Sequence, residues 1–273
     1  AHNIGCRVVI DATGQRSLIA SQLGLRQESQ ELRKASIWAY YQGGRRDSGI
    51  DAGATVILHT RNRKCWFWYV PLPDDVVSVG LVADDDYLRR GKPEGVFEEE
   101  LCNCPAVLER LMSAELVSDF RVIKNFSFQS RQPAGPGWTL VGDACGFLDP
   151  IYSSGVFLAL KSGEMAADCA AEALRSDNLS ARQLGGWVAK FQRGVNRIRK
   201  LVFAFYNDAF SFGQFVREHP QHRRTLTELL VGKVFEDNGS DGLFKDMDAW
   251  IASYQRRHAE LAMQGAPRFD APA

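Results

Sequence analysis

Residues 140–156, Leu140-Val141-Gly142-Asp143-Ala144-Cys145-Gly146-Phe147-Leu148-Asp149-Pro150-Ile151-Tyr152-Ser153-Ser154-Gly155-Val156, run an apolar strand into Gly142-Asp143, cross a short loop through Pro150 and restart as a helix at Ser153. A strand that closes on Gly-Asp presents a carboxylate at the carboxyl edge of a sheet, where ligands of α/β folds sit. The Ser153-Ser154-Gly155 opening offers unpaired backbone N–H groups and a positive dipole end to an anion. A polyol hydroxyl suits Asp143, and an electron-rich ring suits the helix start. Each feature also has a plain reading. Asp143 would cap the following loop, and Pro150 with the serines would be an ordinary proline before a Ser-capped helix.

The same device occurs earlier, in Val8-Val9-Ile10-Asp11-Ala12-Thr13-Gly14-Gln15-Arg16-Ser17, an apolar strand closing on Asp-Ala-x-Gly with Arg-Ser behind it. The two motifs, in this order and separated by a strand-rich stretch, resemble the internal flavin-contact motifs of the FAD-dependent monooxygenase superfamily. That group includes aromatic hydroxylases, geranylgeranyl reductases and flavin-dependent halogenases. The resemblance implies FAD as cofactor, held by Asp11, Gly14, Gly142 and Asp143, with Asp143 on a ribitol hydroxyl. It places Pro150, Ser153, Ser154 and Gly155 against the isoalloxazine, the helix start stabilising negative charge on reduced flavin. No Gly-x-Gly-x-x-Gly turn is present, so by resemblance the pyrophosphate-binding first third of such a protein lies outside this sequence.

Trp66-Phe67-Trp68-Tyr69-Val70-Pro71 is similar to the Trp-x-Trp-x-Ile-Pro hallmark of flavin-dependent halogenases, with Val70 in place of Ile. On a strand Trp66, Trp68 and Val70 share one face, which by resemblance lies near the flavin and the passage to the substrate; large aromatics filling a sheet face would give the same pattern. Tryptophan halogenases carry a Glu where this chain has Tyr152, whereas phenol- and pyrrole-type enzymes carry an aromatic residue. The resemblance is thus to the non-tryptophan group, with a halide held by the N–H groups of Ser154 and Gly155. The Lys of that family belongs to the part upstream, and no catalytic residue is assigned within this sequence. The expected chemistry is halogenation or hydroxylation of an electron-rich substrate by reduced FAD and oxygen. A geranylgeranyl-reductase-like reduction of an alkene, or a non-catalytic fragment, are the alternatives.

Lys and Arg number 33 against 33 Asp and Glu, so no overall charge points to nucleic acid or an anionic membrane. No apolar stretch reaches the roughly 20 residues of a membrane span, and a cytoplasmic location is the expectation. Six scattered cysteines fit free thiols, and neither they nor His219 and His222 have the spacing of a metal site. Expected partners are a small aromatic or carrier-tethered substrate and a separate flavin reductase.

The expected fold is mixed α/β. A partial, Rossmann-like FAD-binding domain comprises residues 1–30 and 131–176, an antiparallel substrate-binding sheet 31–130, and a C-terminal helical region 177–273. Strands are expected at 34–42, 54–61, 65–72, 76–83 and 120–129, and helices at 17–25, 94–103, 105–114 and 153–175. Ala159, Gly163, Ala166 and Ala170 form the inner stripe of the last of these. Ser180 is an N-cap, Phe203, Phe205, Tyr206, Phe210, Phe212 and Phe215 read as core, and Arg193, Arg197 and Lys200 as a solvated face where an acidic carrier could dock.

Overall fold

The computed structural model describes residues 4–263, with side chains through 256. Among these the chain divides into two compact units: one takes residues through 25, 132–145 and from 149 onward, the other 26–131 with 146–148. The first is a three-stranded sheet covered by helices. Val9–Asp11 runs parallel to Trp138–Leu140, which pairs antiparallel with Ala134–Gly135. The C-terminal helices belong to this unit.

Helix Gly155–Arg175 buries Ser162, Ala166, Ala170 and Ala173, a stripe turned slightly from the expected one, with Ser162 in place of Ala159 and Gly163. Side chains this small let the helix lie close to the sheet. Around it Val141, Ala166, Trp187 and Phe191 form one apolar cluster, and the Trp187 indole N–H donates to Thr139 Oγ1 at 3.2 Å. Ser180 caps the next helix, its side chain accepting from Gln183 N as the sequence implies.

The second unit is built on an antiparallel sheet ordered Val56–His59, Cys65–Pro71, Val76–Asp84, Lys34–Gln42, with Glu115–Leu116 and Arg121–Lys124 both on the outer edge of Lys34–Gln42. Alternation sorts its faces: Ile37, Phe67, Tyr69, Val77, Val79 and Leu81 enter one core with Val96, Phe97 and Val107 of the covering helices. A small sheet of Arg26–Glu28, Phe128–Ser130 and Gly146–Phe147 completes the unit.

Four expectations are corrected. The single strand 120–129 is two, Arg121–Lys124 and Phe128–Ser130, in different sheets, because Asn125 takes φ 46° and breaks the ladder between them. The first helix is Leu18–Gln22, since Ser17 is left-handed at φ 46°. The aromatic series 203–215 spans a break between helices Val188–Phe205 and Phe212–Glu218, and only Phe215 of the six is fully buried. Arg193-Arg197-Lys200 is no uniform solvated stripe: Arg197 donates to the carbonyls of Val234, at 2.8 Å, and Glu236, and Lys200 Nζ lies 4.7 Å from the centre of the Phe244 ring. Among the described residues no helix is long and apolar enough to cross a membrane.

Candidate functional site

Parallel pairing of Val9–Asp11 with Trp138–Leu140 puts Asp11 opposite Leu140, so both strands end on the same sheet edge, as the crevice rule for open α/β sheets requires of a ligand site. Three bonds then join the turns that follow. Val141 N donates to Asp11 O at 2.9 Å. The buried Ser17 hydroxyl donates to Ala144 O at 2.6 Å, and the Gln15 side chain donates to the Asp143 carboxylate. The two sequence motifs therefore make one platform.

Glycine is needed at both turns. Gly14 and Gly142 have φ 64° and 56°, left-handed values costly for other residues. A Cβ on Gly142 would also press to 3.1 Å of Ala159 Cβ, whereas one on Gly14 would meet nothing within 4 Å, so the space beside Gly14 is open. The Gly142 turn is further fixed by Ser162, which the sequence reading passed over: its buried hydroxyl accepts from Gly142 N at 2.8 Å. A hydroxyl on the inner stripe of an otherwise Ala-rich helix was the available signal.

The two aspartates differ. The buried Asp11 carboxylate holds its own turn: Oδ1 accepts from Thr13 N at 2.9 Å and Thr13 Oγ1 at 2.6 Å, and Oδ2 from Ile19 N at 2.7 Å. Burial acts to raise its pKa, but the Thr13 hydroxyl and the Ile19 and Thr13 N–H groups prevail and hold it below the ordinary 3.8. Asp143 is half-buried. Burial raises its pKa above the ordinary value, and the Gln15 amide opposes this only in part. A carboxylate has about four acceptor sites, so hydroxyl donors of a polyol would find it receptive. Because the folded pKa of Asp143 is raised, stability falls as pH increases from 3.8 through that raised value. We predict that Asp143→Asn, which can still accept from Gln15, leaves the Tm at pH 7 equal to or above that of the parent protein; a lower Tm in a thermal melt would contradict this.

The loop beyond is a second platform. Ile151 N donates to Asp149 Oδ1, and Ser153 N to Pro150 O, each at 2.9 Å. Helix Gly155–Arg175 starts two residues later than expected, because Ser153 is left-handed at φ 49°. Ser154 is the N-cap residue, without a side-chain cap bond, so the first-turn N–H groups, which have no intrahelical acceptor, keep their capacity for an anion. Tyr152 turns inward, its hydroxyl donating to Leu201 O at 3.1 Å. Burial, reinforced by Asp149, pushes its phenol pKa far up, so it stays a neutral donor. Tyr152, Ser153 and Ser154, with Phe157, Ile198, Leu201 and Leu229 to Gly232, line a cavity of about 210 Å3 without a charged side chain.

Trp66, Trp68 and Val70 are in the other unit, on the sheet face opposite its core. Trp68 lies 6.4 Å from Trp66 and 6.3 Å from Trp38, centroid to centroid, over Gly80, where a Cβ would fall 2.1 Å from its ring. Trp38 and Gly80 were not singled out from sequence. An isolated glycine inside a strand pattern is the signal for such a close approach.

The family model described as tryptophan halogenase matches residues 1–249. The chain belongs to that family. It is similar to the 1H-pyrrole-2-carbonyl-[peptidyl-carrier protein] chlorinase of Pseudomonas fluorescens, 26% identical over 85% of this chain and 53% of the relative. The corresponding brominase of Pseudoalteromonas luteoviolacea is 28% identical over 87% of this chain and 59% of the relative. Among solved structures, the flavin-dependent brominase Bmp2 superposes with a TM-score of 0.81 at 26% identity, covering 94% of this chain and 65% of that one. The chain thus spans between half and two thirds of the length of these halogenase-family relatives. Membership confirms the kinship read from the two turns and the Trp66–Pro71 strand. The family's cofactor is FAD.

Proposed function

We propose that the protein is a flavin-dependent halogenase of an electron-rich, single-ring aromatic such as a phenol or pyrrole, free or carrier-tethered, working in the cytoplasm beside a separate flavin reductase. The observation that carries this reading is the common edge at which Asp11 and Leu140 end, with the linked turns Thr13-Gly14 and Gly142-Asp143 on it. Asp143 and Gly142 would hold the ribitol side of FAD, with Gly14 leaving room for it and Asp11 shaping the Gly14 turn from behind. Pro150 and the start of helix Gly155–Arg175 would face the ring system. Bound and reduced, FAD with oxygen supplies the oxidising equivalent that makes a halide electrophilic.

The chain's own residues would do the rest. The N–H groups of Ser154 and Gly155 would hold the halide at a positive helix end. The adjoining cavity of about 210 Å3 exceeds the ~150 Å3 apolar cavity known to hold benzene, and its uncharged wall suits a neutral ring over a free amino acid. The test is incubation of the full-length protein with a flavin reductase, NADH, oxygen, bromide and phenolic or pyrrole substrates. Bromide-dependent brominated product is expected. Hydroxylated product independent of bromide, reduction of an alkene, or no turnover with FAD bound would contradict the proposal.

A further inference from the structure

We propose that Tyr206 is a positioning residue for the anion-binding turn, acting through Asp149; the proposal rests on reading Ser154 and Gly155 as the halide site. The turn 149–154 holds a left-handed Ser153, φ 49°, a conformation unfavourable for a non-glycine residue, and has no side-chain cap at the helix start. Something outside the turn must hold it. Asp149 is 3% exposed. While its Oδ1 accepts from Ile151 N, its Oδ2 accepts from the Tyr206 hydroxyl at 3.0 Å. A second phenol crosses the other way: Tyr152 donates to Leu201 O, and its ring meets Phe205 edge-on at 6.5 Å. Leu201, Phe205 and Tyr206 all belong to the last turns of helix Val188–Phe205 and its C-cap. The turn is thus clamped at Asp149 and at Tyr152 by one helix end, which fixes where the N–H groups of Ser154 and Gly155 point. Tyr206 is outside the cavity wall, so it acts on the halide only through the turn.

The experiment compares Tyr206→Phe with Asp149→Asn and Asp149→Ala in the full-length protein, by hydrogen exchange at the amides of residues 151–155 and by the KM for bromide. Loss of a hydrogen bond to a carboxylate predicts about tenfold faster exchange there in Tyr206→Phe, a comparable rise in bromide KM, and kcat and aromatic-substrate KM within about twofold. Asp149→Asn should stay close to the parent protein, since its amide oxygen can accept from Ile151 N–H while its amide nitrogen donates to Tyr206. Asp149→Ala, which also strips Ile151 N of its acceptor, should show exchange at residues 152–155 and a bromide KM raised at least as far, and serves in place of Tyr206→Phe if that variant does not fold. Unchanged exchange in Tyr206→Phe overturns the proposal. Faster exchange with unchanged bromide KM upholds the brace and overturns the halide reading instead.

Discussion

Asp11→Ala is expected to destabilise the protein by roughly 3–5 kcal/mol, more than any single change at the cofactor edge, because hydrogen bonds to a buried charge contribute about 1.5–3 kcal/mol each. Three donors converge on this carboxylate, Thr13 N, Thr13 Oγ1 and Ile19 N, and the Thr13 hydroxyl in turn accepts from Leu18 N at 2.9 Å. Removing the carboxylate strands the donors and frees both the Gly14 turn and helix Leu18–Gln22. Asp11→Asn should destabilise by less, since its amide oxygen can keep the two Thr13 donors while its NH2 opposes Ile19 N–H. All three partners are donors, so the amide NH2 of asparagine would face an N–H where an acceptor is needed. The charge-dependent part of the Asp11 contribution is complete above 3.8 and is lost as pH falls from there through its depressed folded value. Urea unfolding of parent and Asp11→Ala should therefore differ most near neutrality and converge in acid; a constant difference, or one below about 1 kcal/mol at pH 7, would contradict the assignment.

Gly80→Ala is the second large effect. Gly80 is the cross-strand partner of both Trp38 and Trp68, and the Trp68 indole, whose N–H donates to Ser78 Oγ at 3.1 Å, occupies the space of the missing side chain. A methyl 2.1 Å from a ring carbon cannot be absorbed by a flexible chain end. Either Trp68 leaves its site or the strand bends, at about 1–3 kcal/mol of overpacking, with an expected fall in Tm of roughly 3–10 °C. The near-ultraviolet dichroism of the Trp38–Trp66–Trp68 group should change with it. FAD affinity should be kept, since no residue proposed to hold FAD is touched. An unchanged near-ultraviolet spectrum would show that Trp68 does not lie over Gly80.

Much of the frame was legible because it is written in local patterns. Strands 34–42, 65–72 and 76–83 alternate apolar side chains onto one face, and the structure places them within a residue or two of those limits. Ser180 as N-cap and Asp143 at a strand end are likewise local statements. What was not legible depends on contacts distant in sequence. How many donors meet an aspartate is not local: Asp11 and Asp143 look alike in sequence until Ile19 N is folded back onto the first. Ser17 reaches a carbonyl 127 residues away, and Tyr206 reaches a carboxylate 57 residues away. His222 Nε2 is 2.7 Å from Asp246 Oδ2, a pairing of residues 24 apart that no local pattern announces. Ser153 and Ser154 read as helix cap because that is the commonest use of such residues; a left-handed Ser153, clamped from another helix, carries no local signature.

Gly142-Asp143 and Thr13-Gly14 are proposed together to grip a flavin nucleotide. Titration of FAD into the full-length protein and its Asp143→Asn variant, followed by quenching of flavin fluorescence, tests this most directly. Loss of a charged acceptor for a polyol hydroxyl predicts saturable binding by the parent and a Kd about tenfold higher in the variant, its Tm no lower. Equal affinity in the two proteins would contradict the account.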